Sequence, residues 1–376
     1  MRATFAAVRA TFAAVSDFPE HPSNVPWPTK SWSVAEPSAD VDRAALADAL
    51  AAIAAIDGEG GVSLATVVVH HGRIVAEQYG ADVDADTTLI SWSMAKSITQ
   101  AVIGLLVGDG LLDIDQPAVV PEFAGSDKAE ILVRHLLEMR PGLAFIEDYV
   151  DDSVSNCLEM LFGDGQDDHA HYAASLPLIH PPDTVWNYSS GTTNILSRLA
   201  GEIIAASSDG RSRIGSFLDE RLFTPLGMTT ATPKYDTVGT FVGSSYVFAT
   251  ARDFARFGYL YLHDGEWDGE RLLPAGWVDE ARATKSVDED PPHFGYGSHW
   301  WTWPEFPGSL AAHGYEGQYI IVVPSRDLVV VQLSKVPTDV RAPLLAALRR
   351  VVESVAERGV SGGSNSPETR CANKEG

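Results

Sequence analysis

The stretch SMAKSITQAVIGLLVGDG, residues 93–110, decides the fold. Ile98, Ala101, Val102 and Leu105 recur at helical spacing, and the run is apolar enough for a central core helix from Ser93 to Val107. The breakers in GDGLLDIDQP, ending at Pro117, close it. Ser93 and Lys96 stand three residues apart, so they share one helix face. A serine at a helix start meets exposed N–H groups and the positive end of the dipole. Burial disfavours a lysine's ammonium form. Such a lysine can take the serine proton and leave an alkoxide-like nucleophile. A surface Ser/Lys pair would not normally precede so apolar a run.

Outward from this helix, Leu64–Val69 and Arg73–Tyr79 read as strands of a hairpin turning at His70-His71-Gly72. Before it, DRAALADALAAI predicts a helix over Asp42–Ile56, with Asp42 as its cap. Residues 16–42, rich in Pro, Ser and Trp, read as an extended arm on the surface rather than an element. From 121 to 234 the pattern is helices and long loops, including ILVRHLLEM, YVDDSVSNCLEMLF and NILSRLAGEIIAAS. Strands return from about residue 240. Tyr319–Val323 and Leu328–Leu333 form a hairpin, and Val340–Glu357 an amphipathic helix. Strands at both ends and helices between predict an α/β (α+β) protein. The expected division is an N-terminal leader and arm (1–41), an α/β domain (42–120 with 235–358), a mostly helical domain (121–234) and a disordered tail (359–376). A site between two such lobes would be a cleft.

Composition narrows the function. The chain has 376 residues, 45% apolar and 21% charged, so disorder throughout is excluded. Its net charge of −24 repels phosphate backbones and anionic lipid, which argues against nucleic-acid and membrane partners. The longest apolar stretch, Ala101–Val107, is far short of a membrane span. RATFAAV occurs twice in tandem at the N-terminus, without a sustained signal-peptide core, and a cytoplasmic protein is expected. Cys157 and Cys371 make no disulfide scaffold. His70-His71 in a turn and His169/His171 in an acidic loop are read as solvated polar residues, so no metal or cofactor is expected. There is no P-loop or HExxH.

Two further elements can join Ser93 and Lys96. Tyr188 lies on WNYSSG, just before the helix Thr192–Ala205. A tyrosine there can serve as a general base if a nearby ammonium lowers its pKa. The segment AHGYEGQ (312–318) precedes the strand YIIVVP, and its glycines allow close backbone approach to a ligand. One of its N–H groups can complete an oxyanion hole with that of Ser93.

Together these elements resemble the serine β-lactamase and penicillin-binding-protein superfamily. More closely, the chain resembles its class-C-like esterases and amide hydrolases, which include the aminohexanoate-dimer (nylon-oligomer) hydrolases. The resemblance runs from about Val62 to Val351. It rests on SMAKS (93–97), the text at 109–119, EDYVD (147–151), YSSGTTNIL (188–196), TARDFARFG (250–258) and GYEGQYIIVVP (314–324). It implies a β-lactamase/transpeptidase-like fold, an antiparallel sheet flanked by helices with a mostly helical insertion. It implies that Ser93 is acylated, that Lys96 accepts its proton, that Tyr188 serves the leaving group, and that Ser93 and Tyr315 supply the oxyanion hole. Tyr149, Ser190, Ser244, His313, Gly314 and Gln318 become expected substrate contacts. The substrate implied is a small ester or amide, with a homodimer left open. Two departures stand out: Tyr188-Ser189-Ser190 where β-lactamases of this class have Y-x-N, and His313-Gly314-Tyr315 where they have K-T-G. Loss of that lysine removes a cation for a β-lactam carboxylate, favouring an esterase or amidase over a β-lactamase or D-Ala-type peptidase. A non-catalytic relative is the reading from another class, weakened by the intact Ser93, Lys96 and Tyr188.

Overall fold

The computed structural model describes residues 18–58, 60–148, 154–208 and 213–359. Tyr149, Cys371 and the tail lie outside them.

The two ends of the chain meet in one large sheet. Its central strands run in the order Arg73–Tyr79, Gly61–His70, Leu328–Lys335, Gln318–Val323 and Leu310–Gly314, all antiparallel. Short strands at Trp301–Thr302, Gly295–Tyr296 and Ser286–Val287 extend it on one side. The three middle strands, Gly61–His70, Leu328–Lys335 and Gln318–Val323, carry runs of Val and Ile rather than alternating patterns because both faces are covered. Val67, Val69, Ile320, Val322, Val329 and Val331 point into one core. Val68, Ile321, Val323 and Val330 point into the other, as the two-residue period of a strand requires. The second core is closed by the helices Arg43–Ala54 and Ala342–Glu353. Asp42 caps the first of these, accepting from the N–H groups of Ala44 and Ala45.

The first core holds Ala251–Leu262, seated on the sheet through Gly258, where an added Cβ would stand 2.7 Å from Ile320 and 2.8 Å from Val329. It also holds the predicted central helix, which is a 3₁₀ turn at Trp92–Met94 continuing as α-helix over Ala95–Gly108. Nearly every residue of that helix is buried, the signature of a helix packed on all sides. The helix predicted from Thr192 starts two residues earlier, at Ser190, and runs to Ser207.

Three expectations are corrected. The N-terminal arm is not a bare extended segment: Ser33–Val34 pairs in parallel with Arg73 and Ile74, and Trp32 is buried. His70 is not in the turn. It ends a strand, 2% exposed, and the turn is His71-Gly72, both at positive φ as a two-residue hairpin of the primed type requires. His169 is likewise buried, in a short helix His169–Ser175. Among the described residues no helix is long and apolar enough to cross a membrane.

Candidate active site

The chain reaches Ser93 through a constrained turn. Ser91 is held on the neighbouring segment, its N–H on the Val247 carbonyl and its hydroxyl accepting from the Val247 N–H. Trp92 then adopts a left-handed backbone (φ 43°), uncommon for so large a residue. This presents half-buried Ser93 at the head of the helix, where backbone N–H groups lack intrahelical partners.

Lys96 follows one turn later and is 1% exposed. Its Nζ lies 2.9 Å from Ser93 Oγ, 2.9 Å from Ser190 Oγ and 3.1 Å from the Ser244 carbonyl. The donor inventory makes this set informative. A carbonyl can only accept. Ser190 Oγ donates its proton to Glu147 Oε1 at 2.6 Å, so toward Lys96 it too accepts. Two of the three ammonium protons are therefore committed. The third direction points at Ser93, where one proton can sit on either atom.

Glu147 was not among the predicted site residues. Besides the Ser190 hydroxyl it accepts the Ser190 N–H at 2.7 Å, placing a carboxylate on the N-terminus of the helix Ser190–Ser207. Ser190 is thus a bridge between Lys96 and Glu147. Ser244, expected to touch substrate, contributes its carbonyl to Lys96, while its side chain is buried against Ser245.

Tyr188 is half-buried, with the Lys96 Nζ 4.8 Å from its ring centroid. Burial raises its pKa, and the Lys96 ammonium with hydrogen bonding to Ser93 and Lys96 offsets this only in part. The phenol is therefore protonated at neutral pH. That reverses the expectation of a lowered pKa and makes Tyr188 a proton donor.

The third element also comes to this place. Gly314 ends the strand Leu310–Gly314, and an added Cβ there would stand 2.4 Å from the Ser91 carbonyl, so only glycine lets this edge lie against the Ser93 turn. Tyr315 opens the loop 315–317 between paired Gly314 and Gln318, its ring edge-on to Trp92. Gln318, an expected substrate contact, is 2% exposed and spends its amide on this loop. It donates to the carbonyls of Tyr315 (3.0 Å) and Ser334 (2.6 Å) and accepts from the Ser334 N–H (3.0 Å).

Ser93, Tyr188, Gly314 and Tyr315 open on one cleft of about 520 Å³. Its wall is aromatic: Phe294, Trp301 and Tyr319 line it together with His313. His313 stacks on Trp301 (5.1 Å, 8°), and its Nε2 accepts from Trp303 Nε1 at 2.9 Å. Burial pushes its pKa well down, so it is a neutral ring of the wall. The cations of the cleft are instead Arg341 and Arg349, which sequence reasoning missed. Arg349 pairs with Glu305. Arg341 Nε has no hydrogen-bond partner.

The Beta-lactamase family matches residues 46–353, and the chain belongs to that family. It is similar to 6-aminohexanoate-dimer hydrolase of Paenarthrobacter ureafaciens, 28% identical over 73% of this chain and 72% of that protein. Among solved structures it is similar to a proposed 6-aminohexanoate-dimer hydrolase from Bacillus anthracis, with a TM-score of 0.69 at 21% identity over 86% of each chain. A family VIII carboxylesterase superposes with a TM-score of 0.63 at 16% identity, over 85% of this chain and 99% of that one. At these identities the structural matches speak to the fold, a mixed α/β architecture around an antiparallel sheet.

Proposed function

We propose that the protein is a serine hydrolase that cleaves small esters and linear amides through an acyl-enzyme on Ser93. The observation that carries this reading is the placement of Lys96. Buried, and with two of its donor directions spent on Ser190 and Ser244, it has a single proton to exchange, at the side that faces Ser93 and Tyr188.

Ser93 Oγ bonds to the substrate carbonyl carbon as its proton passes to Lys96 Nζ. The carbonyl oxygen becomes an oxyanion, received by the N–H groups of Ser93 and Tyr315. The C–N or C–O bond then breaks, and the leaving group takes the Tyr188 proton. Tyr188 regains a proton from the Lys96 ammonium, which restores the lysine for attack of water on the acyl-enzyme. Phe294, Trp301 and Tyr319 give the cleft an apolar wall suited to an alkyl or aryl chain. The amide- and ester-hydrolase names of the similar proteins agree with this substrate class.

Mass spectrometry after quenching turnover of a slow ester tests the reading. An acyl adduct on the Ser93 peptide is expected, and Ser93→Ala should lose activity by several powers of ten. Full activity in Ser93→Ala would sink the mechanism.

A further inference from the structure

At the far end of the sheet from Ser93, a second cluster is built from three separate segments. The strand Gln318–Val323 starts at the oxyanion loop, and its far end Val323 pairs with Leu328, which in turn pairs with His70. Five strand steps separate the two ends, ~17 Å. There the His70 and His71 rings lie 3.9 Å apart between centroids, tilted by 36°. Asp40 arrives from the N-terminal arm and Asp327 from the turn after Val323.

We infer that Asp40, His70 and His71 form a binding site for a zinc-class divalent cation, through Asp40 Oδ2 and the two imidazole Nε2 atoms. Each of the three residues offers one ligand atom within 4.8 Å of those of the other two. His70 Nε2 is 3.5 Å and His71 Nε2 3.0 Å from Asp40 Oδ2. A tetrahedral ion with bonds of ~2.0–2.1 Å needs ligand atoms about 3.3 Å apart, and both Asp40 edges are close to that span.

Two observations lift the cluster above an ordinary ion pair. First, His70 is 2% exposed, and its Nε2 has no hydrogen-bond partner although it faces Asp40. A salt bridge between Asp40 and His71 leaves that buried nitrogen unsatisfied, which costs free energy. A cation would satisfy it. Second, each imidazole is held through its other nitrogen. His71 Nδ1 lies 2.7 Å from Asp327 Oδ2, and His70 Nδ1 lies 3.2 Å from Ser38 Oγ. A carboxylate on the remote nitrogen is how metal-binding histidines are fixed in tautomer and orientation. Two imidazoles and one carboxylate select Zn²⁺, Co²⁺, Ni²⁺ or Cu²⁺ over the oxygen-seeking Mg²⁺ and Ca²⁺. The fourth position would be left to water. The ion would clamp the arm to two hairpin ends, a structural role remote from hydrolysis.

The test uses the full chain, stripped with a chelator and dialysed. Titration with ZnCl₂ in a calorimeter should give one equivalent bound, and CoCl₂ should give the visible absorption of a low-coordinate cobalt site. With zinc at about a hundredfold excess over its Kd, the melting temperature should rise by a few degrees. His71→Gln and Asp40→Asn, both at accessible side chains, should weaken binding at least tenfold. Asp327→Asn should weaken it by roughly 10–100-fold as the partner behind His71. His171→Ala should leave binding unchanged, and so should ester turnover with or without zinc. No stoichiometric binding to wild type at about 100 µM zinc overturns the inference. So does binding that survives both His71→Gln and Asp40→Asn in variants whose circular dichroism shows a native fold.

Discussion

A serine and a lysine three residues apart can be read from a sequence because the helix that joins them is local. The pairs that make Lys96 useful are not. Ser190 reaches Lys96 across 94 residues and Glu147 reaches Ser190 across 43, and no local periodicity encodes either meeting. That is why Ser190 is legible as a motif member but not as a proton-ordering bridge, and why Glu147, two positions from the expected Tyr149, escapes notice. The bridge has a measurable consequence. Ser190→Ala removes one acceptor of the Lys96 ammonium and leaves Glu147 beside the gap. A hydrogen bond to a charged group is worth about 1.5–3 kcal/mol, so kcat on an activated ester should fall by roughly 10–100-fold. Unchanged kcat would show that two acceptors order Lys96 as well as three. Tyr188→Phe separates substrates. An amide nitrogen must be protonated as it leaves, whereas p-nitrophenolate needs no proton, so amide kcat/KM should drop more than the ester's, on the order of a hundredfold. Equal losses would place Tyr188 in activation of Ser93 instead. Arg341 sets a third contrast. If its guanidinium receives a substrate carboxylate, Arg341→Ala should raise KM for a carboxylate-bearing amide about tenfold and leave a neutral ester unaffected. Comparable KM values for both substrates would remove it from recognition.

The elements carry the site by close approach. The Val- and Ile-rich middle strands and the apolar run of the helix Ala95–Gly108 are legible because burial on both faces suppresses any polar alternation. The arm strand Ser33–Val34 is not, since two residues paired at a sheet edge carry no pattern. Gly314 is legible as a glycine at a strand end. Its reason, the Ser91 carbonyl 2.4 Å from where a Cβ would stand, belongs to the tertiary structure. Gly314→Ala must push the strand end away from the Ser93 turn. Activity should fall about a hundredfold or more, since small misplacements of catalytic groups are costly, and the melting temperature should fall by a few degrees, since overpacking costs about 1–3 kcal/mol. Gln318→Ala should act on the same loop from below. It leaves the Ser334 N–H and two carbonyls without their partner, so kcat should drop together with stability, by about 1–3 kcal/mol in chemical denaturation. A Gly314→Ala enzyme of full activity would mean that the loop, and not the strand end, sets the position of Tyr315.

At the scale of the molecule, the acidic surface and the buried histidines pull in opposite directions as pH falls. Protonating carboxylates moves the net charge of −24 toward zero and relieves self-repulsion, which favours the folded state. The histidines oppose this. His263, bonded through Nδ1 to the Pro19 carbonyl, is pushed down to about 4 by burial. His299, held by Thr193 and the Leu137 carbonyl, is pushed down to about 3 by burial. In the unfolded chain each returns to an ordinary value near 6.5. Between those limits the unfolded state binds more protons, so stability rises with pH. The stabilisation is full above pH 6.5 and is lost progressively as pH falls toward 4 and 3. At pH 5 each histidine already costs about 2 kcal/mol, so the pair removes about 4 kcal/mol from a domain whose total is on the order of 5–15 kcal/mol. Relief of dispersed surface repulsion, screened by salt, is the smaller effect. The melting temperature should therefore fall by several degrees between pH 7 and pH 5 despite the shrinking net charge. His263→Gln, which keeps a neutral polar side chain, should flatten the slope. A melting temperature that is constant or rising across this window in about 0.15 M salt would show that surface charge, not the buried imidazoles, governs acid stability.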